Sequence, residues 1–402
     1  MHHLKRTLAE STSKLASKST GENIRGGIST VKEKLSKMSS PKDTEIRRKL
    51  NAWFPNTLNP VIFSAPMAGY SNGLLAAEVS KAGGFGTIQA GYNFTPTSPS
   101  LSNLTKELVS ARQALDLSEY PLTPLPIGVG FVICHASFFS SFEKGILPVL
   151  QEHSPQAIWL FGADPQFIAD GSVRGVIERM HDSGFMVMYQ VGTVASARQA
   201  VMDGADIIVA QGVDAGGHQF AAGAGVVSLV PEVVEMLERE FPARKEEVVV
   251  VAAGGISDGR GVAGALALGA EAAVMGTRFL VAKEASTPEF RRKLLLETSD
   301  GGASTVKTTF HDDIQGTTNW PKLYDGRAIR GSSYEDHAKG LPLEENVKLF
   351  NEAKEAGDNS RVVMWSGTGV GLLRKEQPAG EIVREVREVA KQRIMFLQQT
   401  FL

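Results

Sequence analysis

The chain has 402 residues, with 42 Lys and Arg against 44 Asp and Glu, for a formal net charge of −2. That balance gives no general reason to expect nucleic acid or an acidic membrane surface as a partner, and the single cysteine, Cys134, excludes an internal disulfide and an all-cysteine metal site. The apolar runs are strand-length, well short of the ~18 residues of a membrane span, and 41 glycines beside 6 tyrosines and 4 tryptophans fit a turn-rich α/β enzyme.

Residues 1–50 differ from the rest, with 12 Lys or Arg against 5 Asp or Glu, many Ser and Thr, and little to bury. They read as a basic N-terminal tail, disordered or loosely helical. The scarcity of acidic residues before Glu22 also admits a mitochondrial-type presequence, while no apolar segment suits secretion. The expected location is therefore cytoplasmic, with mitochondrial import as the alternative.

From Asn59 a rhythm of short apolar runs begins. Strands are predicted near 60–64, 85–89, 126–133, 156–161, 185–190, 206–210, 248–253 and 272–275. Helical stretches such as NGLLAAEVSKAGG, GSVRGVIERMHDSG, TVASARQAVMDGA and GRGVAGALALGA separate them. Strands buried on both faces read as continuous apolar runs, as these do. Alternating strands and helices in this number predict an α/β fold, a (β/α)₈ TIM barrel over residues 51–300, with an open doubly wound sheet as the rival. Chemistry then belongs just beyond the C-terminal strand ends. Those positions hold small and amide residues, including Gln211, Gly254, Gly255 and Gly276, rather than a carboxylate pair. They suit a large planar ligand lying against backbone.

In VVVVAAGGISDGRGVAGALALGAEAAVMGTRF (248–279), glycine turns follow the last two strands. No G-x-G-x-x-G opens the intervening helix, so a dinucleotide fingerprint is excluded. Backbone N–H groups at such turns and at a helix N-terminus suit a phosphate.

Four stretches carry a family resemblance: PVIFSAPMAG (60–69), GGFGTIQAG (83–91), VGTVASARQAVMDGADIIVAQGVDAGGH (191–218) and AAGGISDGRGVAGALALGAEAAVMGTRF (252–279). Through them the chain resembles the nitronate monooxygenases, also called 2-nitropropane dioxygenases, which are FMN-containing barrels. The resemblance implies that Ala65, Pro66, Met67, Ala68 and Gly69 line the isoalloxazine ring. It implies that Gln211, Gly216 and Gly217 contact the cofactor, and that Gly254, Gly255, Gly276 and Thr277 hold its phosphate. Arg278 either adds charge there or faces outward. The family's proton-abstracting histidine follows the fourth strand in a stretch like F-H-F-G; here IWLFG places Leu160 at that point. His218, in AGGH, and His135, in VICHASFF, are the candidate replacements as catalytic bases. No His/Cys/Asp/Glu set has metal-ligand spacing, HDD at 311–313 included, so no metal is expected.

After Ala285 the barrel rhythm stops. STPEFRRKLLLETSDGG reads as a final helix, and residues 301–402 as a return segment and helical cap over the barrel. TTFHDDIQGTTNWPKLYDGRAIRG reads as loop-rich, and SGTGVGLL (366–373) as a loop near the site. Phe310 and Trp320 are assigned to core packing, with a lid as the other reading. The resemblance implies FMN-dependent oxidation of alkyl nitronates, or of nitroalkanes given a base, by dioxygen to carbonyl compounds and nitrite, in a monomer or homodimer. Two alternatives stay open: an NAD(P)H-dependent reductase of enoyl thioesters or quinones, and a non-catalytic flavin- or phosphate-binding barrel.

Overall fold

In the computed structural model, residues 50–401 are described; the expected tail and presequence readings of 1–50 fall almost wholly outside them. Eight parallel strands form the barrel: β1 (Val61–Ser64), β2 (Gly86–Gly91), β3 (Leu125–Val132), β4 (Pro155–Phe161), β5 (Met186–Val191), β6 (Ile207–Gln211), β8 (Val249–Ala253) and β9 (Ala272–Met275). Their order is β1-β9-β8-β6-β5-β4-β3-β2. Closure comes from a parallel bridge between Phe63 and Phe85, with Phe85 N donating to Ile62 O at 2.8 Å and Ser64 N to Phe85 O at 3.1 Å. The open-sheet rival is thereby excluded.

Strand alternation divides the side chains between two cores. In β4, Ile158 and Leu160 pack into the layer between sheet and helices with Val173, Ile177 and Met180, whereas Trp159 and Phe161 face a central cavity. Full burial of each such aliphatic side chain contributes about 1.5–3 kcal/mol. The helices start where the sequence supplies caps. Helix Val194–Asp203 begins at Thr193, whose side chain accepts from Ser196 N, while Ser196 Oγ accepts from Thr193 N. This reciprocal pair satisfies two otherwise orphaned donors.

A second sheet was not legible in the sequence. β7 (Gly217–Phe220), β10 (Thr305–Thr308) and β11 (Tyr324–Ile329) form an antiparallel sheet in the order β10-β11-β7. The segment read as loop-rich thus contains β11, with β10 just before it, and the helix Phe310–Gln315. β7 is short and begins on glycine, so it lacks both an apolar run and an alternating pattern. The cap helices Ser332–Ala338 and Leu343–Glu355 follow, and the long helix Ala379–Phe401 packs back on helices Gly259–Ala267 and Gly73–Lys81. Barrel and return segment pack together as one compact unit.

Candidate active site

A cavity of about 530 Å³ opens at the C-terminal ends of the barrel strands. Its floor includes Trp159 and Gln190, joined by a Trp159 Nε1 donation to Gln190 Oε1 at 3.0 Å. One wall is the segment Ala65–Gly69 after β1. Ser71 fixes that segment: its Oγ donates to Ala65 O at 2.9 Å and accepts from Met67 N at 3.0 Å. Gly69 has φ +76°, and a Cβ built there would meet nothing within 4 Å. The opposite wall carries Gln211 at the end of β6, with Gly216 and Gly217. Gln211 Nε2 donates to His218 O at 3.2 Å, while its Oε1 is buried without a partner among the described residues.

Gly254 and Gly255 follow β8, and Gly276 and Thr277 follow β9; all four line the same cavity. Gly254 and Gly255 have φ of +104° and +72°, in the region where only glycine is unstrained. A Cβ on Gly254 would also lie 2.6 Å from Gly212 O. The N-terminus of the helix Gly259–Ala267 does not serve an anion, because Asp258 Oδ1 accepts from Arg260 N and Gly261 N, both at 3.0 Å. The backbone left facing the cavity here is that of the turns themselves. SGTGVGLL, folded as the 3₁₀ turn Thr368–Leu372 and its preceding residues, joins them: Gly367 N donates to Thr277 Oγ1 at 3.0 Å, and Gly367 and Gly369 line the cavity. Arg278 neither lines the cavity nor faces outward. It is buried, and its Nη2 donates to Gln377 Oε1 at 2.5 Å.

The two candidate bases separate. His135 does not line the cavity; it caps the helix Ala136–Ser141, its Nδ1 accepting from Ser137 N at 3.1 Å and lying 2.6 Å from Ser137 Oγ. His218 lines the cavity from β7. Its Nε2 lies 2.9 and 3.0 Å from the two oxygens of Asp312, and Thr317 Oγ1 donates to Asp312 Oδ1 at 2.8 Å. The imidazole stacks on Trp320 with centroids 3.9 Å apart and planes at 15°, and Trp365 approaches it at 4.8 Å. Trp320 is therefore a roof residue of the cavity, whereas Phe310 is buried in the cap against His337. Leu160 is fully buried and does not line the cavity.

No lining residue is Lys, Arg, Asp or Glu, and His218 is the imidazole among them. Burial pushes the lining thiol of Cys134 up to about 11. The sequence reading missed Asp312, Thr317 and Trp365. HDD was weighed as a metal set; folded, its second residue, Asp312 in the helix Phe310–Gln315, is the hydrogen-bond partner of His218.

The protein is thus a barrel with a glycine-lined, uncharged cavity and one carboxylate-backed histidine. The nitronate monooxygenase family profile matches residues 157–388. A nitronate monooxygenase of Neurospora crassa is 60% identical over 357 residues, covering 87% of this chain and 94% of that protein. Another, from Metarhizium robertsii, is 33% identical, covering 86% and 95%. The chain belongs to the nitronate monooxygenase family. Among solved structures, FabK from Thermotoga maritima matches with a TM-score of 0.65 and 24% identity over 87% of this chain and 98% of that one. The nitroalkane oxidase from Streptomyces ansochromogenes gives 0.65 and 25% over 87% and 99%.

Proposed function

We propose that this protein binds FMN non-covalently and oxidises alkyl nitronates with dioxygen to carbonyl compounds and nitrite, and takes neutral nitroalkanes through His218. The observation that carries the reading is the placement of His218 in the cavity, backed by Asp312, within a chain of this family. The residues fit the cofactor. Gln211 Oε1 is a buried acceptor lacking a donor, which a ring N–H would supply. Gly69 and Gly217 leave open space where any other residue would place a Cβ. Gly254, Gly255, Gly276 and the Thr277 hydroxyl offer neutral donors for the phosphate.

When bound, FMN supplies an electron acceptor that reacts with dioxygen, which no side chain provides. The protein's own residues bind, orient and move a proton. Trp159, Phe161 and Trp320 give the alkyl group an apolar surface. His218 removes the α-proton of a neutral nitroalkane, and the resulting imidazolium is balanced by Asp312. A preformed nitronate needs no such transfer. A general base so placed contributes about 10²–10⁴-fold.

Anaerobic mixing tests the reading. The purified protein should release FMN on denaturation, and its absorbance should bleach on adding an alkyl nitronate and not on adding NAD(P)H alone. Bleaching by NAD(P)H alone would indicate a reductase, and no bleaching by either would indicate a binding protein.

A further inference from the structure

We infer that Asp312 is a positioning residue that decides which nitrogen of His218 accepts the substrate proton. The inference rests on His218 being the proton acceptor. Both carboxylate oxygens of Asp312 lie within 3.0 Å of Nε2, so Nε2 carries the hydrogen and donates it. Nδ1 has no hydrogen-bond partner among the described residues and keeps its lone pair. The nitrogen that carries the hydrogen is set by the bond its partner makes. Here that bond leaves Nδ1 as the basic atom.

The carboxylate is itself held. Asp312 is 5% exposed and accepts from Thr317 Oγ1, so its orientation does not depend on solvent. Stacking on Trp320 removes the remaining rotation of the ring. Competing charges are accounted for on each neighbouring element. His311, next to Asp312, bonds Val306 O through Nε2, and burial lowers its pKa, keeping it neutral. On β11, Asp325 pairs with Lys307 of β10 at 2.7 Å, and Arg327 donates to Val213 O at 3.1 Å. Asp312 is the acidic group in contact with His218.

The test compares kcat/KM for neutral nitroethane and for its preformed nitronate, with FMN content measured in every sample. Asp312→Asn removes the charge and permits the wrong tautomer. It lowers the neutral-substrate value on the order of 10²-fold or more, and the nitronate value less than about threefold, because no proton is taken from the anion. Asp312→Glu, which keeps a carboxylate, restores most of the neutral-substrate rate. Asp312→Ser makes the same comparison should the Asn variant not fold. Equal losses for both substrate forms, loss of FMN, or no loss at all would overturn the proposal. His218→Asn is the reference: if it too lacks a selective loss, the reading of His218 as the base fails. If it shows one and Asp312→Asn does not, only the role of Asp312 fails.

Discussion

Cys134 lies on the cavity wall after β3, yet burial raises its thiol to about 11 and so keeps it protonated near neutral pH. The thiolate is the reactive form. Iodoacetamide at about pH 7.5 should therefore modify it at least tenfold more slowly than an ordinary exposed cysteine of pKa ~8.5; labelling at the exposed-thiol rate, read by mass spectrometry, would contradict its protonated state. Single residues were unevenly legible in the sequence. Gln211 and His218 could be picked out because AQGVDAGGH is contiguous. Asp312 stands 94 residues from the histidine it holds, and no local pattern reports that contact. His135 lies outside the cavity lining. Its sequence neighbourhood, just beyond a barrel strand, fits a catalytic base, but the first turn of the next helix needs a cap, and the ring supplies one.

The barrel strands were legible because each is an apolar run buried on both faces, which continuous hydrophobicity reports directly. β7, β10 and β11 were not, since their pairing joins segments remote in the chain and none is strongly apolar. A contact between elements also makes stability depend on pH. His181, near the end of helix Ser172–Asp182, bonds Asp206 at 2.9 Å, and Asp206 also accepts from Val187 N of β5 at 2.7 Å. The hydrogen bond to Asp206 raises the histidine's pKa. The folded state then holds the proton more tightly than the unfolded chain. The stabilisation is complete below the unfolded histidine's ordinary value and is lost as pH rises through the folded one. His181→Gln should consequently lower Tm more at about pH 5.5 than at about pH 8.5. A deficit independent of pH, or larger at the alkaline end, would show that the ion pair does not contribute this way.

At the scale of the molecule, the last helix ties the chain's end to the start of the barrel. Arg387 is 3% exposed, and its guanidinium donates to Leu58 O, Pro60 O, Ala82 O and Gly83 O at 2.7–3.4 Å. Arg387→Ala would strip the guanidinium from Leu58 O, Pro60 O and Ala82 O at the entrance to β1 and after helix Gly73–Lys81, while Gly83 O keeps the backbone donation from Leu58 N. The expected cost is on the order of 3–5 kcal/mol, seen as a Tm several degrees lower, with FMN content per folded molecule unchanged. A Tm within a degree of the parent would show that water replaces the guanidinium. The β7–β11 sheet has a further effect, on timing. Synthesis delivers His218 and every barrel strand before Asp312 and the strand that pairs with β7. At roughly 5–20 residues per second, the carboxylate emerges several seconds after the histidine it positions. A nascent chain can thus hold all its barrel strands while still lacking the carboxylate that bonds His218, so the barrel is in place before the His218–Asp312 pair can form.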